Sequence, residues 1–246
     1  MKTMMIIGGT DSSGGAGLTR DTVVAHQLGF GVLPIVTAVT AQSNDRVFDT
    51  RIMPADLIAD QIKAALATAP PAAIKIGMLG NEETADAVGH ALYQHPCPLV
   101  LDPVLMSSSG RRLMSGRFPG SLLSQVHLMT PNLPEAAALA GCPVATTDAQ
   151  IAAQADWFLS QGVQAVLIKG GHAVGETCAD HLFTGTEQHI LTAPRFEGAE
   201  MRGTGCSLAT AIACGLAHGK DLHKACKTAK SFVHGLLCKA AIPQFR

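Results

Sequence analysis

Short apolar runs alternate with helical patterns along the whole chain. Met4–Ile7, Val32–Val39, Ala73–Ile76, Leu99–Leu101, Leu128–Thr130 and Ala165–Ile168 are brief and apolar, without polar alternation. Strands covered on both faces read this way. Between them, Leu57, Ile58, Ile62, Ala65 and Leu66 make one face of a helix opened by Pro54. Leu222, Ala225, Ala229, Phe232, Val233, Leu236 and Leu237 make another, with Asp221 as its N-cap. Strand, crossover helix and strand, repeated, predict an α/β fold of three layers, α/β/α, around a mostly parallel central sheet with helices on both faces. Two later runs, Asp180–Thr184 and His189–Thr192, flank Gly185-Thr186-Glu187-Gln188 and predict an antiparallel hairpin at a sheet edge. With no internal repeat, low-complexity tract or linker, residues 1–246 read as a single domain.

Composition narrows the function classes. The chain has 246 residues, 18 Lys plus Arg against 19 Asp plus Glu, and a formal net charge of −1. That balance, with one Trp and one Tyr for stacking, argues against nucleic acid as a partner. Mean hydropathy is +0.25, yet no apolar stretch approaches the roughly 18 residues that span a bilayer. The opening Met1-Lys2-Thr3 leads into too short an apolar run for a signal peptide. Seven cysteines without a CxxC pair suggest neither a disulfide framework nor a zinc site. A soluble cytoplasmic enzyme-sized domain is the expectation.

In an open parallel sheet, ligands bind beyond the carboxyl ends of the strands. The loop after the first strand, Gly8-Gly9-Thr10-Asp11-Ser12-Ser13-Gly14-Gly15-Ala16-Gly17, carries five glycines and a carboxylate, and matches neither a dinucleotide fingerprint nor a P-loop. A tight turn accounts for one or two of those glycines; close backbone approach to a ligand accounts for five. Gly203-Thr204-Gly205-Cys206 opens the helical run Ser207–Ala217, with Gly219 as its stop. Amides at such a helix start point at an anion, and the helix dipole stabilises a thiolate at Cys206; a plain turn with a small packed cysteine is the other reading. Lys169, followed by Gly170-Gly171-His172, suits a phosphate contact but taken alone reads as a solvated lysine at a strand end. Asp102 and Glu135 are carboxylates placed to hold a hydrated Mg²⁺, or, for Asn132 with Glu135, to cap the helix Pro134–Ala140. Trp157 is expected in the core, Met78 in a pocket wall, and the remaining histidines and cysteines in packing or surface roles. A glycine-rich anion pocket, a lysine and two acids on one rim are what phosphoryl transfer requires.

Seven segments occur in order: Gly9–Gly17, Thr37–Gln42, Lys75–Gly80, Leu101–Val104, Thr130–Ala136, Lys169–His172 and Gly203–Cys206. In these the chain resembles the hydroxymethylpyrimidine/phosphomethylpyrimidine kinases of thiamine biosynthesis, within the ribokinase superfamily. The resemblance runs from about Met4 to Val233. It implies a ribokinase-like fold and ATP- and Mg²⁺-dependent phosphorylation of 4-amino-5-hydroxymethyl-2-methylpyrimidine, then of its monophosphate. It further implies that Gln42 hydrogen-bonds the aminopyrimidine, an amide offering both donor and acceptor to the ring edge. Gly9, Asp11, Ala16 and Met78 would surround that substrate, with Val104 against the ring. Asn132, Lys169 and Thr204 fall on the nucleotide side, and Asp102 and Glu135 on the Mg²⁺ side. Gly203, Thr204 and Gly205 form the anion hole, and Cys206 deprotonates or orients the hydroxyl, with Lys169 assisting. The partner implied is a small-molecule pyrimidine, the assembly a homodimer. Two departures bring arginine close to the pocket: Arg202 stands where the family usually has His, and Leu18-Thr19-Arg20-Asp21 replaces a commoner Ile-Gln-Ala-Asp. The fixed charge of Arg202 suits a substrate phosphate. Cysteine-type pyridoxal kinases share many of these motifs, and a silent pyrimidine-binding protein is a third reading.

Overall fold

The structure is a computed structural model and describes residues 1–107, 109–170, 177–195 and 201–241. Its strands are β1 (Thr3–Gly9), β2 (Gly31–Gln42), β3 (Val47–Ile52), β4 (Ala73–Ile76), β5 (Leu99–Leu101), β6 (Leu128–Met129), β7 (Ala165–Lys169), β8 (Thr177–Thr184) and β9 (Gln188–Pro194). The helices are α1 (Gly17–Gln27), α2 (Ala55–Thr68), α3 (Glu82–Ala91), α4 (Gly120–Leu123), α5 (Leu133–Ala140), α6 (Asp148–Ser160), α7 (Thr204–Ala217) and α8 (Leu222–Ala240). All six predicted strands and the hairpin are present. The strand the hydrophobic pattern missed is β3, whose Val47-Phe48-Asp49-Thr50-Arg51-Ile52 is mostly exposed and so carries little apolar signal.

The sheet order is β3-β2-β1-β4-β5-β6-β7-β8-β9. Neighbours from β2 through β7 pair in parallel, whereas β3 closes one edge and the β8–β9 hairpin the other in antiparallel register. From β1 the chain steps one way to β2 and the other way to β4, so the order reverses at β1, and the crevice at that reversal lies beyond the strands' carboxyl ends.

Strand side chains alternate between two cores. Met5, Ile7, Ile74 and Ile76 pack with residues of α2 through α6. Met4, Ile6 and Ala73 pack with α1, α7 and α8 on the opposite face. The three expected layers are therefore present. Within α2 the inner face is Ile58 and Ile62, and Leu57, expected on it, is exposed. Trp157 is half-buried rather than central: it meets Phe158 edge-on at 5.0 Å, and Phe158 is the side chain that fills the core. The predicted caps form as the local sequence dictates, with Asp221 accepting from the Lys224 amide and Asn132 and Glu135 making a reciprocal capping box on α5.

Candidate active site

The loop from Gly9 to α1 is braced by Asp11. One carboxylate oxygen accepts from the Ser13 amide (2.9 Å) and hydroxyl (2.7 Å), the other from the Ala16 amide (3.0 Å). Asp11 is buried, and its charge is satisfied by this loop. Arg202 completes the arrangement, with Nη2 3.3 Å from Asp11 Oδ2 and Nη1 donating to Ser13 Oγ (2.8 Å), the Ser43 carbonyl (3.0 Å) and Asn44 Oδ1 (3.3 Å). Both terminal nitrogens of Arg202 thus bind protein, tying the loop after β1 to the turn after β2.

Gln42 ends β2 beside this loop. Ser12 Oγ donates to its carbonyl and accepts from its amide, each at 2.7 Å, so the main chain at Gln42 is fixed to the glycine loop. Met78 closes the crevice from below: a Cβ on Gly9 would stand 2.9 Å from Met78 Sδ, so Gly9 permits that approach. Val104, half-buried, follows β5 two residues after Asp102. Gly9, Asp11, Ala16, Gln42, Met78 and Val104 thus all lie at the carboxyl ends of β1, β2, β4 and β5 or in the loops just beyond.

Opposite them lies the start of α7. Gly203 is its N-cap at φ 74°, a conformation glycine adopts freely. A Cβ at Gly203 would collide with the Gly15 carbonyl and stand 3.3 Å from Ala16 Cα. The amides of Thr204, Gly205 and Cys206 are in the helix's first turn, where no intrahelical acceptor exists for them. A Cβ at Gly205 would stand 3.3 Å from Lys169 Nζ and 3.9 Å from Asp102 Oδ2, so this missing side chain leaves a cradle beside a cation and a carboxylate.

Lys169 is not the solvated lysine its position alone suggests. Its side chain is 13% exposed, and Nζ donates to Asp102 Oδ1 at 2.9 Å, an oxygen that also accepts from Thr130 Oγ1. Burial pushes the Asp102 carboxyl up, but Lys169 and Lys75 outweigh it and hold the group below the usual carboxylate range. Burial likewise pulls Lys169 down, while Asp102 and Glu135 bring it above the ordinary lysine value. Gly171 and His172 of that motif lie outside the described residues. Asn132 adjoins Lys169 through a parallel bridge, and its Oδ1 caps α5, as the capping reading anticipated.

Glu135 differs from Asp102 in charge. Burial and the neighbouring Asp102 push it up to about 7, against the pull of Lys169. An acid whose folded value exceeds its unfolded value binds its proton more tightly when folded, so the contribution is lost as pH rises from about 4.5 to about 7. Over that window the thermal midpoint of the ligand-free protein should fall relative to that of Glu135→Gln, which carries no titrating proton. Parallel midpoint-versus-pH curves in differential scanning calorimetry would contradict this.

At Cys206 the helix terminus meets a competing effect. Burial pushes the thiol up to about 11, against the favourable charge of Lys75 and the Gly17 amide. In the substrate-free protein the thiol keeps its proton; desolvation outweighs the helix terminus. Under the site lies an ion pair the sequence reading did not single out. Lys75 Nζ meets Asp21 Oδ2 at 2.6 Å with both side chains 1% exposed, and Thr210 Oγ1 donates to Asp21 Oδ1 at 2.8 Å. Its signal was a lysine inside the otherwise apolar run Ala73-Ile74-Lys75-Ile76.

Among the described residues, no three His, Cys, Asp or Glu side chains gather to hold a metal ion. The two carboxylates present match Mg²⁺, which keeps most of its water and takes one or two protein carboxylates along with substrate phosphates. No described helix is long and apolar enough to cross a membrane.

Comparison with known proteins bears on this geometry directly. The chain is 35% identical over 238 residues to the hydroxymethylpyrimidine/phosphomethylpyrimidine kinase of Rhizobium meliloti, covering 95% of this chain and 90% of that protein. The crystal structure of a phosphomethylpyrimidine kinase from Clostridium difficile superposes with a TM-score of 0.82 at 29% identity, over 96% of this chain and all of the other. The pyridoxal kinase of Staphylococcus aureus, in complex with AMP-PCP and pyridoxal, superposes with a TM-score of 0.84 at 30% identity, over 95% and 87% of the two chains. The family model for phosphomethylpyrimidine kinase matches residues 11–243, and with that match the chain belongs to the phosphomethylpyrimidine kinase family.

Proposed function

We propose that this protein transfers the γ-phosphoryl group of ATP to the hydroxymethyl group of 4-amino-5-hydroxymethyl-2-methylpyrimidine and then to the resulting monophosphate, in thiamine biosynthesis. What carries this reading is the meeting of α7's first turn with both sides of the crevice: Gly203 against Gly15 and Ala16, and Gly205 open to Lys169 and Asp102. A loose phosphoryl-transfer transition state spreads charge over three equatorial oxygens and asks the protein mainly for positioning and charge neutralisation. The amides at Gly203, Thr204 and Gly205 supply fixed donors for that charge. Lys169, already charged and held by Asp102, faces the transferring phosphoryl without having to gain a proton. Asn132 offers its amide Nδ2 and Thr204 its hydroxyl to the nucleotide. Asp102 and Glu135 would hold Mg²⁺, which supplies neutralisation of the phosphate oxygens.

On the acceptor side, Gln42 presents donor and acceptor to the aminopyrimidine, with Met78 and Val104 covering its faces and Gly9, Asp11 and Ala16 forming the wall. Cys206 lies at the start of α7, on the rim of the same crevice, and orients the substrate hydroxyl through its sulfur. Because bond breaking to the leaving group runs ahead of bond making, the hydroxyl proton departs late, so a protonated thiol in the resting protein is compatible with this role. The reading includes a cytoplasmic homodimer acting on small molecules.

Gln42→Leu should weaken pyrimidine binding by roughly 1–3 kcal/mol, the cost of leaving the ring-edge contacts unmade. Titration calorimetry measures it, and an unchanged affinity would remove Gln42 from the pocket. The reaction itself is tested by ADP release with Mg-ATP in parallel wells of hydroxymethylpyrimidine, its monophosphate and pyridoxal, with turnover of both pyrimidines expected. The similarity to the pyridoxal-bound kinase favours one second reading, a pyridoxal kinase, which turnover of pyridoxal alone would establish. ADP release from none of the three would leave a binding protein.

A further inference from the structure

In β4 the alternation of side chains sends Ile74 and Ile76 toward the core of α2 through α6, and Ala73 toward α1 and α7. Lys75 shares that second face by register, where an apolar side chain is the expected occupant. It is instead an ammonium group with almost no exposure, 2.6 Å from Asp21 of α1. Buried pairs of this kind add little stability over well-packed apolar side chains of similar volume, so what distinguishes this pair is its position.

That position is against α7, at its second turn. Thr210, which donates to Asp21, is four residues after Cys206 and so lies on the same face one turn below it. Gly77, just past β4, has no side chain where a Cβ would stand 2.8 Å from Lys75 Nζ, which leaves that nitrogen room at the strand's carboxyl end. The charged groups around Cys206 are Lys75 on β4, Asp21 on α1, Asp102 beyond β5 and Lys169 on β7. Lys75 is the strongest of these in favouring a negative sulfur, and Asp21 and Asp102 oppose it. Burial pulls Lys75 down, but Asp21, Cys206 and Asp102 together hold it above the ordinary lysine value, so its charge is permanent.

We propose that the Lys75–Asp21 pair, linked to α7 through Thr210, is a positioning element for Cys206 that fixes a positive charge beneath the sulfur and the anion hole. Lys75 touches neither substrate; it acts through Cys206, and the inference rests on the role proposed for that residue above. Negative charge that develops on the sulfur or in the anion hole during transfer meets a cation held in place by folding, with no reorganisation at the moment of reaction.

The test compares the wild type with Lys75→Met and with Asp21→Leu/Lys75→Met. The double variant leaves no lone buried charge, and its Thr210 hydroxyl can bond back to its own helix. Folded protein is alkylated with iodoacetamide at about pH 9, where thiolate fraction sets the rate, and each cysteine is followed by peptide mass. In Lys75→Met, alkylation at Cys206 should slow by about tenfold or more, tenfold being one pKa unit, while Cys97 is unchanged. In the double variant the slowing should be smaller, because the opposing charge of Asp21 is also gone. Kinase kcat should fall in the same order with pyrimidine KM within about threefold of wild type, an effect confined to the transition state. Equal alkylation at Cys206 in all three proteins overturns the proposal; if Lys75→Met does not fold, the double variant alone decides it in the same way. Full turnover by Cys206→Ala would instead overturn the role of Cys206 and leave the alkylation result standing, so the two failures are separable.

Discussion

Cys206→Ala should lower turnover by roughly 10²–10⁴-fold, the usual contribution of a group that positions or accepts a proton in the transition state. Pyrimidine affinity should change little, because Gln42 and the Asp11-braced part of the glycine loop are untouched and only the Gly17 amide loses its contact with the sulfur. The substitution removes a single sulfur from a small side chain, so folding should survive. The physical case is the site's construction. Cys206 is in the first turn of α7, whose amides have no intrahelical acceptor, and Lys75 is the charge that most favours a negative sulfur there. Steady-state kinetics with calorimetric pyrimidine binding on the same preparation separate the two effects. Wild-type kcat in the variant would remove Cys206 from the mechanism, and loss of binding with kcat retained would place it in the substrate pocket.

Gly203→Ala should be nearly as damaging, for a reason that is purely geometric. At φ 74° an alanine is strained by about 1–2 kcal/mol. The larger effect is that its Cβ would collide with the Gly15 carbonyl and stand 3.1 Å from Arg20 Cγ, so the main chain on one side must retreat. Whichever side moves, the proposed anion hole and the proposed wall of the pyrimidine pocket separate, and a displacement of about 1 Å at such a site costs on the order of 10² in rate. Gly219, just beyond the far end of α7, is the control: its φ is 79°, yet nothing lies within 4 Å of a Cβ there. Gly219→Ala should therefore lose about 1–2 kcal/mol of stability to backbone strain and no activity. Thermal denaturation and kcat/KM on both variants check this, and equal activity in the two would mean that the contact between Gly203 and Gly15 does not matter to catalysis.

Much of the fold was legible because its signals are local. The unalternated runs of β1, β2, β4, β5, β6 and β7 are what two-sided burial demands, and the hairpin was marked by Gly185 between two short runs. The caps at Asn132 and Asp221 form between residues three apart. The strand β3 escaped because an exposed edge strand needs no apolar pattern, and Trp157 was misassigned because periodicity alone does not choose between it and the adjacent Phe158. For the site, the glycine loop, Gly203–Cys206, Lys169, Asp102 and Glu135 were recognisable as strand-end and helix-start residues. Their resemblance to a kinase family rested on seven such segments in order.

By itself, then, the sequence determined the three layers, the rim on which the chemistry-bearing residues gather and the helix start that faces it. Spacing within a few residues decides each of these. Charge and partnership were left to the tertiary structure. Lys169 finds Asp102 across 67 residues, Lys75 finds Asp21 across 54, and Arg202 finds Asp11 across 191. Whether Cys206 carries a proton, whether Glu135 titrates near neutrality and what Arg202 holds together all depend on burial and on those distant partners. A group's charge is set by the dielectric and the neighbours around it in space, and no local pattern in the chain encodes either.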